Sequence, residues 1–503
     1  MWMKTNLKYG WVPVVFLVMA GSCAYEFPEA EGPVSAGDVS FRHYVSIGGY
    51  GMSGFMHGAF YTAGQHQSVP AILHEQFLKT GQEIPFNQAD IGSGNGYNEF
   101  YQSGTEISGR FVYRYTDYAQ DVPVITVKEG DILSDYSGNV SGVNDMGIPF
   151  LKSFQLNNVE AAVQNPYVAR LNFSSGVTLT EHALTLHPEF FTLWLGIADI
   201  FNYARSGGEG SISPAPGEAG EFDLTSADEF KENLTVLLEQ LLYNSATRGA
   251  IANIPDLKDL PFFFYYPYNF LRITTGSILA SRAEYVDAFN EAVEIHNVMP
   301  GAERRPYISW DDNGAFLSPQ RLVVEDDSLC DAFYPNGEPL PKIRQIEPEE
   351  LVLLSIPVEE VKTGLGWMYP LPAEYYLNKC QVQKIQVRIN EFNAVISDLV
   401  SLYSGRLALV DLRSAFALLA MSSRKDAYGN PESYEEHSFN GVPVHFDLGL
   451  FSLVSLDGMF PNQRGNAYIA NRFIEAINRS FGSKLPIVDI NRYTGNTVEL
   501  GIR

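Results

Sequence analysis

The chain has 503 residues, with 34 Lys and Arg against 59 Asp and Glu, so its formal net charge is −25. A nucleic-acid partner is excluded as an expectation, because phosphate binding needs a basic stripe that this balance does not supply. Hydrophobic residues at 45% and charged residues at 18% describe a globular chain with a large core, and three cysteines are too few for the usual structural zinc sites.

Length alone allows about three domains at roughly 150 residues each, and no internal repeat is present. The first segment, residues 1–23, carries Lys4 and Lys8, an apolar stretch from Trp11 to Ala20, and the small residues Ala20, Gly21 and Ser22 before Cys23. This is the layout of a secretory signal, too short for a spanning helix. A cysteine directly after a small-residue triplet resembles the lipobox of bacterial lipoproteins. That resemblance implies cleavage before Cys23, acylation of Cys23, and attachment to the outer membrane of a Gram-negative cell envelope. The alternative is a plain signal peptide with an incidental cysteine. Residues 24–40 read as an acidic tether, with Glu26, Glu29 and Glu31 around Pro28, a stretch that resembles a surface-export signal. No later segment reaches 18 consecutive apolar residues, so the lipid is the expected membrane attachment.

Short apolar β-rich runs follow at His43–Ile47, Phe190–Leu195, Ala250–Ile254, Leu351–Ile356 and Leu407–Val410. Near-continuous apolarity ending in Gly, Pro or Asp is the pattern of strands buried on both faces of a parallel sheet. Amphipathic helices lie between them. One starts at Ser226 with Glu229 three residues on and puts Phe230, Leu234, Leu237, Leu238 and Leu241 on one face. A second carries Ile385, Ile389, Phe392, Ile396 and Leu399, and a third runs from about Asn466 to Phe481. The alternation predicts an α/β fold with an open, doubly wound parallel sheet and a ligand crevice at the C-terminal ends of the strands. No linker divides residues 41–503, so one domain is expected, with long loops such as 207–220 and an insertion at about 257–348.

Three blocks stand at the ends of predicted strands or near the last helix. They are Gly48-Gly49-Tyr50-Gly51-Met52-Ser53-Gly54, then Leu193-Trp194-Leu195-Gly196-Ile197-Ala198-Asp199, and Ser455-Leu456-Asp457-Gly458-Met459-Phe460-Pro461 followed by Arg464-Gly465-Asn466-Ala467. Together they resemble the SGNH (GDSL-type) hydrolases, in particular a group of long bacterial lipoproteins in that superfamily. Corresponding blocks there read G-N-S-L-T-A-G, L-W-I-G-N-N-D and S-L-D-G-x-H-P with R-G-Y/N-A. The similarity runs from about Tyr44 to Ile487, and implies a flavodoxin-like α/β/α fold.

The resemblance also implies a mechanism in which a Ser attacks an ester, a Gly N–H and an Asn amide help hold the oxyanion, and a His oriented by an Asp takes the proton. Carried over block by block, the Ser position is Tyr50, the Asn position Ala198 and the His position Phe460. The Gly block is best matched by Asp145-Met146-Gly147-Ile148-Pro149-Phe150, which puts Phe150 where the Gly would stand. Only the acid, Asp457, remains. Phe460 has no lone pair to act as a base, Ala198 has no donor, and the Tyr50 phenol, with an ordinary pKa near 10, has no evident activator. The expected protein is therefore a pseudoenzyme that binds or assembles, with an outer-membrane protein partner or a glycan or acyl ligand, and with neither cofactor nor metal. The alternative is an active esterase or carbohydrate deacetylase using relocated residues: Ser53 and His57, four apart, would share one face of a helix.

Two further features carry expectations. The run Pro261–Phe270, with Phe263, Tyr265, Tyr266 and Tyr268, should lie near the crevice mouth, either lining a ligand or partner surface or packing as a second core. Cys330 and Cys380 are candidates for a disulfide in an oxidising compartment.

Overall fold

The computed structural model describes residues 33–98, 106–115, 123–174, 176–215, 218–272, 276–310 and 319–499, with the backbone alone for 276–284. Met1–Gly32, including Cys23, lie outside these. Five parallel strands make the central sheet: β1 (Tyr44–Gly48), β2 (Asp145–Gly147), β3 (Phe190–Trp194), β4 (Arg248–Ala252) and β5 (Leu407–Val410). Their spatial order is β5-β4-β3-β1-β2, with Gly48 opposite Trp194 on one side and Gly147 on the other. Read from the other edge this is 2-1-3-4-5, a doubly wound order whose direction reverses between β1 and β3. Every residue of β1 and β3 is buried, which is why neither alternates apolar with polar.

Five helices flank the sheet: α1 (Val69–Leu78), α2 (Leu179–Thr185), α3 (Ala227–Leu241), α4 (Lys379–Leu402) and α5 (Gln463–Phe481). α1 packs on α5, and α3 on α4. Right-handed crossovers from this strand order put the first pair on one face and α2, α3 and α4 on the other. The apolar stripes read from the sequence turn inward. Phe230 of α3 and Phe392 of α4 stack with ring centroids 3.9 Å apart, and both are fully buried. Burial of each such side chain contributes about 1.5–3 kcal/mol. The starts are capped as the residue types require: Ser226 Oγ accepts from Glu229 N at 3.1 Å, and Asn462 Oδ1 from Gly465 N at 2.9 Å.

Three expectations are corrected. Leu351–Ile356 does not join the central sheet: only Leu351–Val352 is extended, paired antiparallel with Tyr376–Leu377. Its apolar residues divide between two cores: Leu353 lies in the main core with Leu351 packed against it, whereas Val352 and Ile356 join Leu322, Trp367 and Leu371 in a separate one. The place in the sheet goes to β2, whose three residues are too few to show a period. The insertion between β4 and α4 likewise extends beyond Pro348. Its two cores draw on residues from Leu271 to Tyr376, whereas Leu257, Leu260 and Phe263 belong to the main core. Finally, the compact body begins at Val34, inside the segment read as tether, because Asp38 N bonds to Phe481 O and Lys484 N to Ser35 O at the end of α5. Among the described residues, no helix is long and apolar enough to cross a membrane.

Candidate functional site

The chain after β1 makes one helical turn, Tyr50–Ser53, and Gly54 in the left-handed region (φ +73°) ends it. The turn rests directly on β2: a Cβ at Gly147 would lie 2.1 Å from Met52 O, so only glycine allows this approach. After β2 the chain delivers Phe150, after β3 the helix Ile197–Arg205 delivers Ala198 in its first turn, and the loop before α5 delivers Asp457 and Phe460. Four distant segments thus meet where the strand order reverses.

Aromatic rings fill that meeting point. Tyr50 stacks on Phe460 at 5.1 Å and meets Trp194 edge-on at 4.9 Å. Phe150 meets Phe460 at 5.4 Å and Phe55 at 5.0 Å, and Phe55 lies 4.7 Å from Phe460. Tyr50 and Phe460 are each 3% exposed, and Phe150 and Ala198 each 8%. The space beside Tyr50, between Phe446, Pro461 and Tyr468, is too small for a water molecule. Two of these residues hold backbone conformations unusual for bulky side chains, with φ +42° at Tyr50 and φ +57° at Phe150. Arg205 caps the cluster, its guanidinium 5.1 Å from the Phe150 ring.

The polar groups around the cluster are engaged with the backbone. The Tyr50 hydroxyl donates to the Met459 carbonyl. Burial first, and the charge of Asp457 second, push its phenol well above the ordinary value. Asp457 accepts from Met459 N at 2.9 Å, Phe460 N at 2.8 Å, Gly58 N at 2.8 Å and Ser455 Oγ at 2.7 Å. With both oxygens so held, it ties its own turn to the 57–58 segment. Burial raises its pKa, and these hydrogen bonds oppose the rise.

Ser53 and His57 do not share a helix face, because the helix ends at Ser53. Ser53 Oγ donates to Tyr50 O at 2.8 Å and accepts from Phe55 N at 3.1 Å. His57 (φ +56°) uses Nδ1 to accept from Leu456 N at 3.2 Å. Burial, helped by the charge of Arg110, pushes its imidazole down to about 3, so the ring is neutral at physiological pH. Each side chain is therefore engaged with the backbone, Ser53 within its own turn and His57 with the distant loop before α5.

The aromatic run lies beside the same turn: Phe262 N donates to Gly458 O at 2.8 Å, and Leu354 N to Phe262 O at 2.8 Å. Phe263 is fully buried in the main core, Tyr266 and Tyr268 are half-buried against the insertion's core, and Tyr265 is exposed. The run is thus divided, with Phe263 in the main core and Tyr265 at the surface. Cys330 and Cys380 are free thiols and not a disulfide; Cys330 donates to Glu303 O at 3.2 Å, and Cys380 is exposed on the first turn of α4. Among the described residues no cluster of three His, Cys, Asp or Glu could hold a metal ion. Sequence reasoning missed Phe55 and Trp194 as walls of the cluster. Phe55 follows the glycine that ends the turn and Trp194 ends β3, but neither position reveals which way its ring points. In comparisons with protein-family models, characterised proteins and solved structures, nothing matches this chain.

Proposed function

We propose that this protein is a degenerate member of the SGNH hydrolase superfamily whose catalytic site has closed, and that it serves as a non-catalytic binding or assembly component held on the cell envelope by a lipid on Cys23. One observation carries the reading: the positions assigned from separate sequence blocks, Tyr50, Phe150 and Phe460, meet as packed rings at the point where a doubly wound sheet places its ligand. Phe150 adds support, since its φ of +57° is a conformation that suits the glycine the resemblance expects there. The chemistry is one-sided. Loss of nucleophile or base in a serine-hydrolase triad costs about 10⁶ in turnover, and loss of an oxyanion donor about 10²–10³ where it acts independently.

The test has two arms. The purified protein should neither hydrolyse p-nitrophenyl acetate nor take up a fluorophosphonate probe, and stoichiometric labelling lost in Ser53→Ala would overturn the closed-site reading in favour of an active esterase. In cells, an alkynyl palmitate label should enter the protein and disappear in Cys23→Ala; equal labelling of the two would refute the lipid anchor.

A further inference from the structure

Outside the closed site, a cleft of about 480 Å³ opens between the aromatic run and the loop 424–432. This volume lies in the range of small-molecule sites, about 300–1,000 Å³. Phe264, Tyr266 and Tyr268 line one side and Tyr428, 65% exposed, the other. Two arginines brace the walls. Arg424 donates to Lys258 O at 2.6 Å and Asp259 Oδ1 at 2.7 Å while lying 5.5 Å from the Phe264 ring. Arg272 donates to Ala427 O and lies 5.5 Å from the Tyr428 ring, so it joins the aromatic run to the opposite loop. The aromatic walls are thus held in place before any ligand arrives.

The charges on the lining decide what the cleft suits. Lys258, Arg424 and Lys425 are matched by Glu350, Asp426 and Glu432, so the cleft is balanced within a chain of net charge −25. Glu350 is taken up by Arg344 at 2.7 Å, and Asp426 by the backbone of its own turn through Tyr428 N and Asn430 N. Arg424 is paired with Asp259. That leaves the ends of Lys258, Lys425 and Glu432, all exposed, together with Asn269. Ammonium and amide donors beside carboxylate and amide acceptors can bracket hydroxyl groups, which both donate and accept. Aromatic side chains offer flat apolar faces for the C–H face of a sugar ring. An acyl chain would give these polar ends no partner, and an anionic ligand would gain nothing from a balanced cleft on an acidic body.

We infer that this cleft binds a neutral oligosaccharide, stacked on Tyr268 and Tyr428 and held at its hydroxyls by Lys258, Lys425 and Glu432. The inference rests on the binding role proposed above, but not on the loss of catalysis. The intact protein is titrated calorimetrically with neutral hexasaccharides of gluco, manno, galacto and xylo configuration, and with hexagalacturonate as the anionic counterpart. At least one neutral probe should bind, with an affinity unchanged by salt between about 50 and 500 mM. Tyr428→Ala should weaken binding about tenfold and Lys425→Ala severalfold, with both variants unfolding as the native protein does because both side chains are exposed. The inference is overturned if no neutral probe binds at about 10 mM, if hexagalacturonate binds more tightly, or if Tyr428→Ala with Lys425→Ala leaves the affinity intact. Each of these leaves the closed-site reading standing, whereas fluorophosphonate labelling with sugar binding preserved would overturn that reading alone.

Discussion

Replacing Phe150 by alanine and by glycine separates two effects that the native residue combines. Its ring packs on Phe55 and Phe460, so truncation to alanine should cost about 3–5 kcal/mol, the range for a phenylalanine in a core. Its backbone sits at φ +57°, where a side chain with a Cβ costs about 1–2 kcal/mol and glycine nothing. Glycine gives back about 0.4–1 kcal/mol through the greater freedom of the unfolded chain. The difference leaves Phe150→Gly more stable than Phe150→Ala by about 0.8 kcal/mol at the middle of these ranges, which span about 0 to 1.6 kcal/mol. In an ordinary helix or strand the order is reversed, with glycine the weaker by about 0.5–1 kcal/mol. Urea unfolding of the two variants, compared by midpoint at equal slope, gives the sign directly. An alanine variant more stable than the glycine variant by about 0.5 kcal/mol or more, the ordinary order, would refute both the left-handed backbone and the argument that this position suits glycine.

His57, neutral and buried with its pKa near 3, binds its proton in the unfolded chain near 6.5. Unfolding takes up a proton between those values, so the contribution is complete above pH 6.5 and is lost as pH falls toward 3. His57→Asn, which tolerates the φ of +56° and keeps an acceptor for Leu456 N, should remove about 3 kcal/mol of the decline between pH 6.5 and 4; parallel stability curves for the two proteins would contradict this. Gly147→Ala should destabilise by about 3 kcal/mol or more, because its Cβ meets backbone at Met52 and not a side chain that can turn away; a midpoint shift below about 1 kcal/mol would show that the turn can move. Iodoacetamide added under denaturing, non-reducing conditions should label both Cys330 and Cys380, and peptides joined through the two in mass spectrometry would contradict the free thiols.

The helices were legible because their apolar stripes recur over many turns: every one of Ile385, Ile389, Phe392, Ile396 and Leu399 is buried. β1, β3, β4 and β5 were legible as continuous apolar runs. β2 was not, since three residues show no period. The run at 351–356 was misplaced because apolarity records that a segment is buried but not which strand it pairs with, and Leu351–Val352 pairs with Tyr376–Leu377. In the candidate site, the residue identities at Tyr50, Phe150, Ala198, Asp457 and Phe460 were readable, whereas the plug that Tyr50, Phe150 and Phe460 form with Phe55 and Trp194 was not.

The sequence by itself determined what this protein lacks at those positions: Ala198 has no donor and Phe460 no lone pair in any fold. Tertiary structure alone decided that the rings of Tyr50 and Phe460 pack against each other and against Trp194 and Phe55, and that an open, aromatic cleft lies elsewhere. The physical reason is that ring packing depends on side-chain direction and on contacts such as that of Tyr50 with Met459, 409 positions away. Local propensity carries no record of either.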